Sequence, residues 1–333
     1  MNFDNLKAEL ANWRPEDFGK VAVLMGGVSA EREISLESGQ AVLEACRESG
    51  MNATGLELGD DPVRQIVQAG PDWAFNIIHG GYGENGLLSG SLELLGVYSP
   101  ASGGRSMALA MHKHRAKAIW RQAGLPTPDW RLLVCNNLKR RASGAHSLVE
   151  LAWQEIAAAG LRPPLVIKPT CEGSSVGLYL AHTQEQLNQA LAATLSKFEE
   201  LLVESLITGT EITMALLGDT ALPVIEIQPD RGVYDYHAKY QSNNTRMLIP
   251  TSLGEEIEAR ARELAVAAFE SLGCGVWGRV DAMVDKAGAI HLLEINTLPG
   301  MTSHSLVPRA AAQVGLDFSQ LVQAIFSVAK RGQ

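Results

Sequence analysis

Two stretches of the chain hold residues whose types and spacing could do chemistry. The first is Gly278–Asn296, "GRVDAMVDKAGAIHLLEIN", two apolar runs around Asp285-Lys286-Ala287-Gly288. Closed by a four-residue turn, this hairpin sets Arg279 opposite Glu294 and Asp281 opposite Leu292. Two-residue alternation then places Arg279, Asp281, Glu294 and Asn296 on one face. Three oxygen donors beside a guanidinium make a hard-cation site, suited to Mg²⁺ bridging nucleotide phosphates. A three-residue turn would put Asp281 and Glu294 on opposite faces and remove the site. The solvent face of an amphipathic hairpin also explains the two acids, and is less comfortable with Arg279.

The second stretch is Ile167–Gly177, "IKPTCEGSSVG". Lys168 ends an apolar strand, and the Gly and Ser residues after it can turn several backbone N–H groups toward one point, as phosphate requires. A Walker loop would run into a helix, whereas this one runs into a strand, "VGLYLA". That pattern describes a hairpin lid over phosphates with Lys168 as a point charge. A plain Gly-Ser turn with a solvated lysine uses the same residues.

Weaker signals surround these two. Glu204 and Glu211 flank "SLITGT", a strand–hinge–strand segment that could face an adenine edge and ribose hydroxyls. Glu31 lies in the first turn of a helix, where the dipole favours any carboxylate. His79 ends a strand, where a buried, satisfied histidine is the commoner case. The long segment Tyr234–Asn244 carries Lys239-Tyr240, and long loops in compact domains are often lids. Cys171 has no base beside it in sequence and reads as a bystander.

The elements that must position these residues follow from periodicity. Strand Lys20–Met25 ends in Gly26-Gly27, Ser29 is the expected cap of a helix over Ala30–Ser49, and a second strand Trp73–Ile78 ends at His79. Strands alternating with helices indicate an open parallel sheet with ligands beyond its carboxyl ends. A helix over Ser106–Ala123 leads to the connector "GLPTPDW". An α+β block follows, with strands at Leu132–Cys135, Pro164–Lys168, Val176–Ala181 and Glu200–Glu204. Beyond it come strands Glu211–Leu217 and Ala221–Gln228, a helix Gly254–Leu272, the hairpin, and a helix Phe318–Ala329.

Bulk properties narrow the classes. At 333 residues the chain is expected to hold two or three domains. A net charge of −9 without a basic tract argues against nucleic-acid or membrane partners. Four scattered cysteines without a C-x-x-C pair read as reduced thiols. No signal peptide or bilayer-length apolar run is seen, so a cytoplasmic location is expected.

Taken together, "GGVSAEREISLESG", "HGGYGENGLLSG", "KPTCEGSSVG", "YDYHAKY", "WGRVDAMV" and "LLEINTLPGMTSHSLVP" resemble the D-alanine–D-alanine ligases of the ATP-grasp superfamily, from about Lys20 to the C-terminus. The resemblance implies an α/β ATP-grasp fold. Residues 1–112 would form an N-terminal open parallel-sheet domain. Residues 113–206 would be a central domain with the Gly/Ser lid, and 207–333 a C-terminal domain with the metal site and second lid. It implies ATP-dependent joining of two D-alanines through an acylphosphate for peptidoglycan precursors, in a homodimer, with two Mg²⁺ or Mn²⁺. Other acceptors, D-lactate or D-serine, and a non-catalytic nucleotide-binding relative are the alternatives.

By the same resemblance, Asp281, Glu294 and Asn296 are metal ligands and Arg279 stabilises the oxyanion. Lys113, Lys168, Ser175, Glu204, Leu206, Glu211 and Lys239 bind ATP. Glu31, Ser174 and Tyr240 form a hydrogen-bonded set that closes the lids over the substrates. Glu31, with His79 nearby, holds the first D-alanine's ammonium, and Gly300, Ser305 and Leu306 seat the second D-alanine's carboxylate. An intact Lys239-Tyr240 favours an amine acceptor. The chain departs from its relatives at His112, often Asp, at Ser205, often Lys, and at Cys171, often basic or polar.

Overall fold

The computed structural model describes residues 3–142, 147–173, 175–229, 245–302 and 304–332. Its first sheet is parallel, in the order β2-β1-β3: β1 is Lys20–Gly26, β2 Asn52–Leu58 and β3 Trp73–Asn76. "KVAVLMG" is central because six of its seven residues are apolar or glycine and buried on both faces. "NATGLEL" forms the edge and was not legible as a strand, since exposed polar residues interrupt it. The helix Arg32–Glu48 packs against β1, and Ser29 does not cap it. Ser29 Oγ instead donates to the His79 carbonyl at 2.6 Å and accepts from Glu31 N–H at 3.1 Å, tying the loops after β1 and β3 together.

The expected helix over Ser106–Ala123 is two helices, Gly104–Met111 and Lys113–Gln122, broken at His112 in an extended conformation (ψ 91°). The Lys113 N–H leaves the helical ladder to donate to the Thr170 carbonyl at 3.1 Å, and this long-range bond, invisible to periodicity, fixes the break.

The second sheet is antiparallel, in the order β4-β7-β5-β6, from β4 Trp130–Val134, β5 Leu165–Pro169, β6 Tyr179–Ala181 and β7 Glu200–Ser205. Strand β6 is shorter than the expected Val176–Ala181. The helix Leu148–Ala158, opened by a Ser147–Glu150 capping box, covers this sheet with Gln184–Thr194.

Among the described residues a third sheet holds β8 Gly209–Leu217, β9 Thr220–Ala221, β10 Ile225–Gln228, β11 Arg246–Leu248, β12 Trp277–Asp285 and β13 Ile290–Asn296. The order is β11-β10-β8-β12-β13, with β9 on β8. Gly209 opens β8 because a Cβ there would lie 1.9 Å from the Val284 carbonyl oxygen of β12. The last helix, Phe318–Arg331, returns to the first sheet, where Phe326 packs on Phe18, Trp73 and Phe75. No helix among the described residues is long and apolar enough to cross a membrane.

Candidate active site

The hairpin β12–β13 departs from the expected register. Its turn has three residues between Asp285 and Ala289, and Ala282, Met283 and Val284 pair with Leu292, His291 and Ile290. Continued to the end of the strands, that register would carry Glu294 to the face opposite Asp281. A bulge intervenes. The ladder shifts by one residue between Asp281 and Ala282, and beyond it Asp281 pairs with Glu294 and Arg279 with Asn296. All four side chains therefore share one face, by a route the four-residue turn did not anticipate. Leu293, the extra residue, lines the same cavity as Glu294.

Arg279 and Asp281 form a buried two-point pair, Nε–Oδ1 and Nη2–Oδ2 both 2.8 Å. Thr213, opposite Asp281 on β8, donates to Oδ1 at 2.6 Å. Glu294 Oε2 lies 3.2 Å from Lys113 Nζ, which also donates to the Glu172 carbonyl at 2.8 Å. Each carboxylate of the pair is thus balanced by a cation, and the site offers only oxygen donors, as a hard divalent ion requires.

The cavity above this face, about 420 Å³, lies between the second and third sheets. It gathers Lys113, Lys168, Ser175, Glu204, Leu206, Glu211, Asp281 and Glu294 from separated segments. Lys168 Nζ sits 2.5 Å from Glu204 Oε1. On the far side of Glu204 is a residue that the sequence reading missed: Lys117 Nζ, 3.0 Å from Oε2, with side chains 0% and 3% exposed. Lys117 also donates to Thr127 Oγ1 at 2.8 Å and to the Leu292 carbonyl at 3.3 Å. Its four-residue spacing from Lys113, which puts both on one helical face, was the available signal. Burial pulls the Lys117 ammonium down to about 8 despite the attraction of Glu204. Burial works against the charged form of Glu204 too, but Lys117 and Lys168 together hold its carboxyl below the usual range. For Lys168, burial is outweighed by Glu204 and Glu294, and its pKa is raised.

The rest of the expected site lies at the edge of the first sheet. Glu31 Oε2 is close to two loops: an added Cβ at Gly80 would stand 3.1 Å from it, and one at Gly173 3.6 Å. His79 is buried, with Nδ1 3.6 Å from Glu84 Oε1, and its Nε2 has no hydrogen-bond partner among the described residues. Ser305 and Leu306 open the helix Leu306–Gln313, a helix not anticipated from periodicity. Ser305 Oγ accepts from Thr302 N–H at 3.0 Å, and a Cβ at Gly300 would approach it to 2.9 Å. Met301 N–H reaches Ser38 Oγ of the helix Arg32–Glu48 at 3.3 Å. Ser174, Lys239 and Tyr240 lie outside the described residues.

Comparison with known proteins decides the family. A family model described as "D-ala D-ala ligase C-terminus" matches residues 119–327. A D-alanine–D-alanine ligase of Paraburkholderia phymatum is 42% identical over 317 residues, 94% of this chain and 97% of the relative. The chain belongs to the D-alanine–D-alanine ligase family. Solved structures agree with this family's fold. The Bacillus anthracis D-alanine–D-alanine ligase superposes with a TM-score of 0.78 at 30% identity, over 94% of this chain and 98% of that one. The VanG D-Ala:D-Ser ligase of Enterococcus faecalis gives 0.79 at 28%, over 93% and 99%. The α/β architecture, with one parallel and two antiparallel sheets, is thus that of the ATP-grasp ligases.

Proposed function

We propose that this chain joins two D-alanines at the expense of ATP, releasing ADP and phosphate. The observation that carries the reading is the bulged register, which brings Arg279, Asp281, Glu294 and Asn296 to one face beside Lys113, over a cavity that also holds Lys168, Glu204 and Glu211. ATP lies in this cavity, its adenine against Leu206 and the Glu204 hinge, its ribose on Glu211, and its phosphates toward Lys113, Lys168, Ser175 and Lys239. Asp281, Glu294 and Asn296 would hold two Mg²⁺ or Mn²⁺ ions, which would supply positive charge against that of the phosphates. Arg279 and Lys113 neutralise Asp281 and Glu294 here, and with those carboxylates ligated they would face substrate charge.

Glu31 holds the first D-alanine's ammonium beside His79, whose unpartnered Nε2 suits a polar ligand. The substrate carboxylate attacks the γ-phosphorus, the bond to ADP breaks, and an acylphosphate forms. The second D-alanine rests its carboxylate at the start of the helix Leu306–Gln313, where backbone N–H groups and the helix dipole favour an anion. Its amine attacks the acyl carbon, Arg279 steadies the oxyanion, and phosphate leaves as the amide closes. The Gly/Ser loop and the loop of Lys239 and Tyr240, with Ser174 and Glu31, keep water from the acylphosphate. The enzyme works as a cytoplasmic homodimer on peptidoglycan precursors.

A D-serine acceptor is the alternative suggested by the similar VanG structure, but the greater identity is to a D-alanine–D-alanine ligase. ADP release with D-alanine alone tests the reading against D-serine, D-lactate and L-alanine. Turnover that starts only when D-serine or D-lactate is added would overturn it.

A further inference from the structure

Two of the three departures noted in the sequence, His112 and Cys171, meet in space. Cys171 Sγ lies 3.0 Å from His112 Nδ1 and 3.8 Å from its Nε2. His114 joins them, its ring edge-on to His112 at 5.8 Å between centroids. One ligand atom each of His112, His114 and Glu200 lie within 4.8 Å of one another. His114 Nδ1 is buried without a hydrogen-bond partner among the described residues, and faces Glu200 Oε2 at 3.9 Å, too far for a hydrogen bond. A tetrahedral zinc ion with ordinary bond lengths has ligand–ligand edges of about 3.4 Å, so His112, His114 and Glu200 would draw together by side-chain rotation, and Cys171, which touches His112, would swing in as the fourth ligand.

We propose that His112, His114, Glu200 and Cys171 form a binding site for a single zinc-class ion. Two imidazoles, a thiolate and one carboxylate make a borderline-soft donor set, which suits Zn²⁺ or Co²⁺ and not Mg²⁺. The all-oxygen set of Asp281, Glu294 and Asn296 has the opposite preference, so the two sites sort metals by donor type. On ligation the Cys171 thiol gives its proton to solvent. The four ligands come from three segments: the helix break and the first turn after it (His112 and His114), the start of β7 (Glu200) and the root of the Gly/Ser loop (Cys171). Lys113, between the two histidines, contacts Glu294 and the Glu172 carbonyl. An ion here ties the root of the loop to the helix that presents Lys113.

The other three cysteines are buried, so iodoacetamide on the folded, full-length protein reports on Cys171 alone. With excess Mg²⁺ present to occupy the oxygen site, one equivalent of Zn²⁺ should slow Cys171 alkylation roughly tenfold or more, because a metal-bound thiolate is a poor nucleophile. Co²⁺ should give a sulfur-to-metal charge-transfer band under the same conditions. His114→Ala should weaken Zn²⁺ binding on the order of a hundredfold, with folding checked by circular dichroism. Cys171→Ser should abolish the Co²⁺ band. Absence of protection in the wild-type protein, or protection unchanged by His114→Ala, would overturn the proposal. Because alkylation needs neither ATP nor D-alanine, its outcome is independent of the ligase reading.

Discussion

At the scale of single residues, the site is built from charges that neutralise one another until substrate arrives. Arg279 is pinned to Asp281 by two 2.8 Å contacts on a buried strand face. Its proposed work is transition-state stabilisation, so Arg279→Ala should lower kcat about 10²–10³-fold while ATP affinity changes little. Single-turnover kinetics beside nucleotide titration would show this, and an active variant would refute the oxyanion role. Glu204, clasped by Lys117 and Lys168, makes stability depend on pH. Its folded pKa lies below the ordinary 4.5, so its contribution is present above that value and lost as pH falls through the folded one. Lys117 acts at the alkaline end. With a folded pKa of about 8 against an ordinary 10.5, the folded state loses this proton first, so this group favours folding increasingly across that interval. Thermal unfolding as a function of pH should therefore show a steeper loss below 4.5 in the native protein than in Glu204→Gln.

At the scale of elements, two local irregularities aim the functional side chains. The bulge at Leu293 corrects the face of Glu294, and the break at His112 frees the Lys113 N–H for Thr170. A third constraint is steric: Gly209 lets β8 approach β12 just beyond the Glu204 hinge. Gly209→Ala would drive a methyl group into the Val284 carbonyl oxygen and push the strands apart. The expected cost is about 1–3 kcal/mol of stability, with weaker nucleotide binding, measurable by thermal unfolding and calorimetric titration. An alanine variant as stable and as tight-binding as the native protein would contradict this account of the hinge.

At the scale of the whole molecule, the chain closes on itself. The last helix, Phe318–Arg331, rests on the helix Arg32–Glu48 and on the aromatic residues of the first sheet. The core beneath it continues through Leu298, Met301 and Val307 to Leu217 and Trp277 of the third sheet. The proposed acceptor seat at Ser305 therefore hangs between the two sheets, held from both sides. Phe326 is fully buried in this junction. Phe326→Ala should cost about 3–5 kcal/mol, read as a fall in Tm, and should loosen the proposed acceptor seat before the proposed nucleotide cavity. Hydrogen exchange along Leu306–Gln313 against exchange along β12 would separate the two.

Much of this was legible in the amino-acid order. Apolar periodicity placed β1, β3, β5, β7, β8 and the hairpin, because those strands carry their burial pattern in adjacent residues. The pairing of Arg279 with Asp281 and of Glu294 with Asn296, each two residues apart, already marked one face of a strand. Three things lay beyond a linear reading. The polar edge strand β2 is held by β1, not by its own pattern. Lys117 looks like a solvated helix lysine until Glu204, Thr127 and Leu292 close around it. Most of all, whether Asp281 and Glu294 face each other depends on a turn length and a bulge whose effects cancel. Residue types and spacing determined which groups are the candidates for this site; the backbone register, set by pairing across the sheet, decided that they meet.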